Sequence, residues 1–313
     1  MSPTLFEIVI PTRNRRELAL QRLREFEVLD CDGCSLLLSD NQSDDGTYES
    51  ALALRSSVIR IRQTVGDPSF FNNILTSLRS CSADWAILCS DEDTVDVRLL
   101  GDLADIARQG DADVILGSVV QQQLPFKGKG RSFSDGVPLF SEMLGHNYLS
   151  GICFRVSSLM AVLDSLADTV NSSGNFFLEN YPHQAIIWLA YVKGALRSTS
   201  SLLIIRGPSA RSSLPVRKTA SGNRSIYLSV DGRWRNWVGG REWIASMASS
   251  LQGDEQCKRH AKLSAYHDHQ VLSLLRRGVQ YDYPAATDCF DRAILNYAKR
   301  ISGYSSPAEG VGQ

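Results

Sequence analysis

The chain's fold is constrained most by a repeated pattern: short apolar runs that end in polar clusters, each followed by residues at helical spacing. Residues 6–10 are such a run, closed by Pro11 and followed by the polar loop Thr12-Arg13-Asn14-Arg15. Proline lacks the N–H that a sheet interior requires, so the strand is expected to stop there. A helix is predicted over residues 16–26, with Leu20, Leu23 and Phe26 on one stripe. Residues 35–39 repeat the apolar run and end at Asp40. The polar turn of residues 41–47 then supplies N-cap chemistry for a helix over 48–55. Residues 58–62 alternate as a half-exposed strand, and 71–80 have the spacing of a helix burying Ile74, Leu75 and Leu78. After the apolar run 85–89 comes a helical pattern over 97–108, then a further strand over 113–120. Strand and helix thus alternate through the first 120 residues, which predicts an α/β fold with a mostly parallel sheet covered on both faces. Ligands of such sheets bind beyond the carboxyl ends of the strands. Thr12, Asn14, Asp40, Asp91 and Asp93 all fall on that rim.

The run Trp85-Ala86-Ile87-Leu88-Cys89 leads through Ser90 into Asp91-Glu92-Asp93. Carboxylates gathered at the end of a buried strand repel one another and desolvate poorly. A divalent cation would relieve that repulsion, and hard cations take one or two carboxylates together with phosphate oxygens. Asp91 and Asp93 are therefore candidates for a metal–diphosphate site. A solvated acidic turn capping the next helix is the competing reading of the tripeptide alone. No Gly-x-Gly-x-x-Gly follows the first strand and no Gly-Lys-Ser/Thr loop occurs, which disfavours dinucleotide binding and P-loop chemistry.

Four ordered motifs in the first 95 residues resemble those of the family 2 glycosyltransferases of the GT-A fold. Ile8-Val9-Ile10-Pro11-Thr12-Arg13-Asn14-Arg15 resembles the opening IPTYNR signature, with Arg13 where an aromatic is common. Ser39-Asp40-Asn41-Gln42-Ser43-Asp44-Asp45-Gly46-Thr47 is similar to the DN-x-S-x-DGT element. Phe71-Asn72-Asn73-Ile74 resembles an Asn-containing helix start, and Ser90-Asp91-Glu92-Asp93 the D-x-D motif. The last two are similar to transferases of O-antigen and capsule assembly. The resemblance implies a GT-A (Rossmann-like) sheet flanked by helices, with a C-terminal helical extension. It also implies a UDP-sugar or other nucleotide-sugar donor, a saccharide or lipid-linked acceptor, and Mn²⁺ or Mg²⁺. Pro11, Thr12, Asn14, Asp40, Asn73, Asp91 and Glu92 would line the nucleotide site, with Asp40 accepting from the base imide. Asp93, with Asp91 beside it, would hold the metal bridging the two phosphates.

An inverting transfer needs a group that takes the acceptor hydroxyl's proton. The family is similar to this chain at Phe176-Phe177-Leu178-Glu179-Asn180-Tyr181-Pro182-His183-Gln184, where Asn180 replaces the usual Asp. Glu179 is the first candidate for the base and His183 the second, as base or as a metal or phosphate contact. Glu179 could instead complement the following helix's N-terminus, predicted to begin at residue 185. Ser150 to Arg155 resembles the strand flanking the acceptor, where Gly151 would permit close approach. Asn180 also keeps open a different class, a non-catalytic nucleotide-sugar or carbohydrate-binding protein descended from such a transferase.

Charge is uneven. Residues 27–49 hold seven acids and no Lys or Arg, whereas 206–241 hold eight Lys or Arg and one acid. That basic stretch is read as a loop-rich segment that could close over a diphosphate, or as solvated surface. Residues 124–135 form a Gly-rich basic loop. Trp234 and Trp237 could stack on a sugar or anchor the following helix. The organisation expected is a catalytic domain over 1–205, the basic segment over 206–241 and helices over 242–313. Helices are predicted at 243–251, 256–277 and 288–301; His260, His267 and His269 are read as surface positions rather than a metal site. The tail could pack on the domain, pair with another subunit or rest on a membrane.

A formal net charge of −1 excludes whole-protein nucleic-acid binding as the leading function. Seven scattered cysteines suit a reducing compartment, and the lone Cys31-Asp32-Gly33-Cys34 has no second pair to complete a zinc site. No apolar run approaches membrane-spanning length and the first ten residues lack a leader pattern, so a cytoplasmic location is expected, with peripheral contact at the inner face of the membrane.

Overall fold

The computed structural model describes residues 4–29, 33–121, 135–138, 148–207 and 229–302. Strand β1 (Phe6–Thr12) leads to α1 (Arg16–Glu27), β2 (Cys34–Asp40), α2 (Thr47–Leu52), β3 (Ile59–Gln63) and α3 (Phe70–Arg79). Then come β4 (Trp85–Leu88), β5 (Asp93–Val95), a short 3-10 turn, α4 (Leu100–Arg108), β6 (Val114–Gln121) and β7 (Ile152–Arg155). Helices α5 (Val156–Ser173), α6 (Phe176–Asn180) and α7 (Pro182–Lys193) precede the last strand, β8 (Leu196–Arg206). Four long helices follow: α8 (Val230–Met247), α9 (Asp254–His269), α10 (Val271–Asp282) and α11 (Thr287–Ser302).

The described strands form one sheet in the order β3-β2-β1-β4-β7-β6-β8-β5. β3, β2, β1 and β4 are parallel, as their alternation with helices requires. β7 runs antiparallel between β4 and β6, and β5 antiparallel along β8. The two faces follow from the period of two along each strand. Ile8, Ile10, Leu36, Leu38 and Ile87 pack with Leu20, Leu23 and Phe26 of α1 and Leu103 of α4. Val9, Leu37, Ala86 and Leu88 face the other way, onto Ile74, Leu75 and Leu78 of α3 and Leu163 of α5. Fully burying such a side chain contributes about 1.5–3 kcal/mol before entropy is counted.

β1 runs through Pro11 to Thr12 rather than stopping at Ile10. The reason is on its other side: β4 ends at Leu88, opposite Val9, so the missing Pro11 N–H falls where that neighbour has already finished. The loop expected through residue 241 gives way to helix at Val230, capped by the Ser229 hydroxyl on the Gly232 N–H. Trp243, Ile244 and Met247 of α8 and Leu263 of α9 belong to the same apolar core as α3, α5 and α7. The helix expected over 256–277 is two, broken at Gln270. Among the described residues no helix is long and apolar enough to cross a membrane. The basic loop of 124–134, most of 206–229, Cys31 and Asp32 lie outside the described residues.

Candidate active site at the carboxyl rim of the sheet

Parallel register brings the first motifs together. Thr12 at the end of β1 pairs with Asp40 at the end of β2, and the Asn41 N–H donates to the Thr12 carbonyl at 2.8 Å. Asp40 is fully buried. Its Oδ2 accepts from the Ser43 N–H at 3.0 Å and from Gln63 Nε2 at 3.2 Å, whereas its Oδ1 is buried with no hydrogen-bond partner among the described residues. Asn14 is held at φ 52°, a left-handed conformation asparagine tolerates better than most residues. Its N–H donates to Ser43 Oγ and its side-chain oxygen accepts from the Asp44 N–H, so it ties the loop after β1 to the loop after β2.

The acidic cluster divides into two unlike environments. Asp91 is almost fully buried and is met by Thr12 Oγ1 at 2.7 Å and by Arg15 Nη1 at 2.9 Å. Arg15 also pairs with Glu92 at 2.5 Å. Burial pushes the Asp91 carboxyl above the ordinary carboxylate range, while Arg15 and the Thr12 hydroxyl pull against it. Asp93 is fully buried at the start of β5. Ser150 Oγ donates to it at 2.5 Å and Tyr148 Oη at 3.0 Å, and the Gly207 N–H adds a third contact. Burial pushes its carboxyl up as well, the hydroxyls pull it back, and Glu92 adds to the push. Among the described residues Asp93 makes no ion pair.

That difference bears on a cation. The two hydroxyls and the Gly207 N–H occupy three of the four lone pairs of the Asp93 carboxylate and leave one hard oxygen site open, so Asp93 fits Mg²⁺ or Mn²⁺ as a single ligand. Asp91 has its charge already matched by Arg15 and fits less well as a direct ligand. Among the described residues no three His, Cys, Asp or Glu side chains gather as a protein-only metal cage.

The rim continues to the second half of the chain. Asn73 is not a helix cap; Ser69 caps α3, and Asn73 is buried in its first turn, accepting from Ser77 Oγ at 3.3 Å. The loop before α3 is tied to the loops after β1 and β2: Arg13 and Asn41 donate to the Pro68 carbonyl, and Gln42 to that of Gly66. Asp67 of this loop lies near enough to act on Glu179, which sits on α6, capped by the Asn175 side chain on the Leu178 N–H. Burial pushes the Glu179 carboxyl up, Arg235 lowers it and Asp67 raises it. Asn180, in the usual place of an acid, turns its amide back to the Phe176 carbonyl at 2.7 Å. His183 is buried in the first turn of α7, its ring edge-on to Tyr181. Gly151 sits at φ 85°, and a Cβ there would come within 3.3 Å of the Gly117 carbonyl, so the strand that carries Ser150 closes against β6.

Arg15, Tyr148 and Ser150 were given no role of their own from the sequence. Arg15 stands inside the first motif, where its charge was a usable signal, and Ser150 heads the strand likened to the family's, but nothing local ties either hydroxyl to Asp93, 55 and 57 positions away. The tryptophans separate in role. Trp237 anchors, donating to the His267 carbonyl at 3.1 Å and stacking on that ring, while Trp234 is 46% exposed. His267 is therefore not a surface residue: it is buried, bonded through Nε2 to the Trp237 carbonyl at 2.9 Å, and burial lowers its pKa. His260 meets the Ile244 carbonyl in the same way.

The model of the glycosyl transferase family 2 matches residues 7–169, just over half of the chain. No curated protein matches it in sequence. Among solved structures, S. aureus TarS 1-349 in complex with UDP-GlcNAc aligns with a TM-score of 0.56 at 15% identity, over 90% of this chain and 74% of that one. The same fragment in complex with UDP gives 0.55 at 14%, with the same coverage. The mannosyltransferase PcManGT from Pyrobaculum calidifontis, in complex with GDP-Man and Mn2+, gives 0.53 at 13% identity, over 97% of this chain and 82% of that one. At such identities the likeness is one of fold, the GT-A architecture.

Proposed function

The chain belongs to glycosyl transferase family 2 and is a glycosyltransferase, and from its own rim of side chains we propose a metal-dependent, inverting transfer from a UDP-sugar. The observation that carries the donor reading is Asp40. A buried carboxylate oxygen left without a donor costs on the order of 1–3 kcal/mol, and a base N–H would satisfy it. Only one oxygen is open, because Ser43 and Gln63 engage the other. A uracil or thymine imide offers one N–H. Guanine offers two side by side and would need both oxygens. That favours UDP over GDP, although neighbours of this fold are bound to either nucleotide.

The residues then divide the work. Thr12 and Arg15 hold Asp91 at the ribose and diphosphate side, and Ser150 and Tyr148 hold Asp93 ready for Mn²⁺ or Mg²⁺. A cation bound there would neutralise the nucleoside-diphosphate leaving group as the anomeric bond breaks. Glu179, whose carboxylate makes no hydrogen bond or ion pair among the described residues, takes the acceptor hydroxyl's proton as that oxygen attacks the sugar. His183, buried against Tyr181, stands behind it as the second candidate. The acceptor we propose is a saccharide or lipid-linked saccharide of surface polysaccharide assembly, met on the cytoplasmic side. The likeness of residues 90–93 to transferases of that kind supports this.

Calorimetry with nucleotides alone tests the donor reading. UDP should bind at least tenfold more tightly than GDP with Mn²⁺ present, and Asp40→Asn should remove most of that preference. Equal binding of UDP and GDP by the parent protein would overturn it.

A further inference from the structure

Two charged groups on other elements, Arg235 and Asp67, lie near enough to act on Glu179. Arg235, on the exposed side of α8, lies with its guanidinium 4.1 Å from the centre of the Phe176 ring, at the start of the short helix that carries Glu179. Among the described residues Arg235 makes no ion pair, so Phe176 is what holds it in place. The placement is fixed from below: Asn175 Nδ2 donates to the Gly239 carbonyl at 3.0 Å. A Cβ at Gly239 would come within 2.6 Å of Asn175 Oδ1 and 3.0 Å of Phe177, so only glycine lets the two helices lie this close. The second charged group is Asp67, on the loop bonded to the turns after β1 and β2. The rest of α6 is Phe176, Phe177, Leu178 and Asn180, and α7 contributes His183 with its ring edge-on to Tyr181.

We propose that Arg235 is a positioning residue for the general base: seated on Phe176, its cation holds Glu179 as the free carboxylate that receives the acceptor's proton. The role rests on the assignment of Glu179 as base. Burial and Asp67 both favour the protonated form, which cannot accept a proton, and Arg235 alone among the described groups opposes them. A half-buried carboxylate would otherwise be silenced further as a bound acceptor displaces its water. Asp67 in turn keeps Arg235 from lowering the base's proton affinity so far that it no longer drives the transfer. Arginine suits the task better than lysine because its planar group stacks on the ring while keeping its charge.

Two measurements on the full chain test this. The first is the ¹³C carboxyl titration of labelled glutamate, with the Glu179 signal identified by its loss in Glu179→Gln. The midpoint should rise on the order of half a pH unit in Arg235→Gln, the size one neighbouring charge exerts through a largely aqueous path, and fall in Asp67→Asn. Arg235→Lys should restore most of the parent midpoint, which a merely structural role would not do. The second is UDP release from UDP-GlcNAc, UDP-glucose or UDP-galactose with Mn²⁺, water serving as acceptor. Its acidic limb should move upward by the same amount in Arg235→Gln. An unmoved midpoint in folded Arg235→Gln overturns the proposal and leaves the base assignment intact. Parent-level UDP release by Glu179→Gln removes the base assignment and the role of Arg235 with it, even if the midpoint moves.

Discussion

Asp93→Asn separates the stability of the site from its function. The carboxylate is fully buried, lacks a cationic partner among the described residues, and accepts from Ser150 at 2.5 Å and Tyr148 at 3.0 Å. Hydrogen bonds to a charged group contribute about 1.5–3 kcal/mol each, whereas a buried ion loses several kcal/mol of hydration. The raised carboxyl pKa says that desolvation is the larger effect. The amide keeps one acceptor and the shape, so the metal-free variant should match the parent within about 1 kcal/mol or exceed it. For a chain of 313 residues the unfolding entropy is about 0.66 kcal/mol per degree, so this corresponds to a change of about 1.5 °C. The sign with pH follows. A carboxyl whose folded pKa lies above its unfolded value favours the fold below the unfolded value and loses that contribution as pH rises through the folded one. The variant's advantage should therefore grow as pH rises from the ordinary carboxylate range toward neutrality. Calorimetric melting across that range, with and without Mn²⁺ and UDP, reads both effects. The metal-dependent part of the UDP-induced shift should vanish in the variant. A loss of more than 5 °C at neutral pH, or an unchanged metal-dependent shift, would refute the reasoning.

Arg15→Met removes the cation that matches Asp91 while keeping much of the side chain's length. It should cost about 2–4 kcal/mol in urea denaturation, because the remaining carboxylate is almost fully buried, and should weaken UDP binding in calorimetry. Gly117→Ala places a Cβ within 2.5 Å of the Leu202 carbonyl oxygen at the register shift between β6 and β8, and should cost about 1–3 kcal/mol by the same denaturation assay.

The parallel half of the fold was legible because each of its signals is local. An apolar run of five residues followed by a helical stripe needs no distant partner to be read, and parallel pairing then brings Thr12 and Asp40 together without further information. The reading failed where a distant contact overrides local preference. Gly232, Gly239 and Gly240 lower the helix propensity of α8, and the sequence looks like loop. Two of those glycines are where other elements press in: Asn175 and Phe177 against Gly239, and the His267 ring within 2.8 Å of a Cβ at Gly240. The feature that hid the helix is what lets α6 and α9 pack on it. His267 was misread for the same reason, since its buried partner, the Trp237 carbonyl, is 30 positions away.

The acidic cluster shows what such contacts mean for function. By residue type alone Asp91 and Asp93 are two acids of one turn with equal claims on a cation, and only the family resemblance singles out Asp93. In the structure Asp91 belongs to the first loop, through Thr12 and Arg15, and Asp93 to a strand that pairs with β8, where Arg206 is its register partner. The Arg206 guanidinium lies 5.2 Å from the centre of the Tyr148 ring, whose hydroxyl holds Asp93. Pairing one acid with a cation within the protein and leaving the other with neutral donors alone gives the two different chemistry at a spacing of two residues. On the proposed function a cation would go to the member tied to the last strand, away from Asp40, the proposed contact of the base. A nucleoside diphosphate with its base at Asp40 and its phosphates toward Asp93 would cross the ends of β1 and β4, and Thr12, which touches Asp91 and pairs with Asp40, lies on that path.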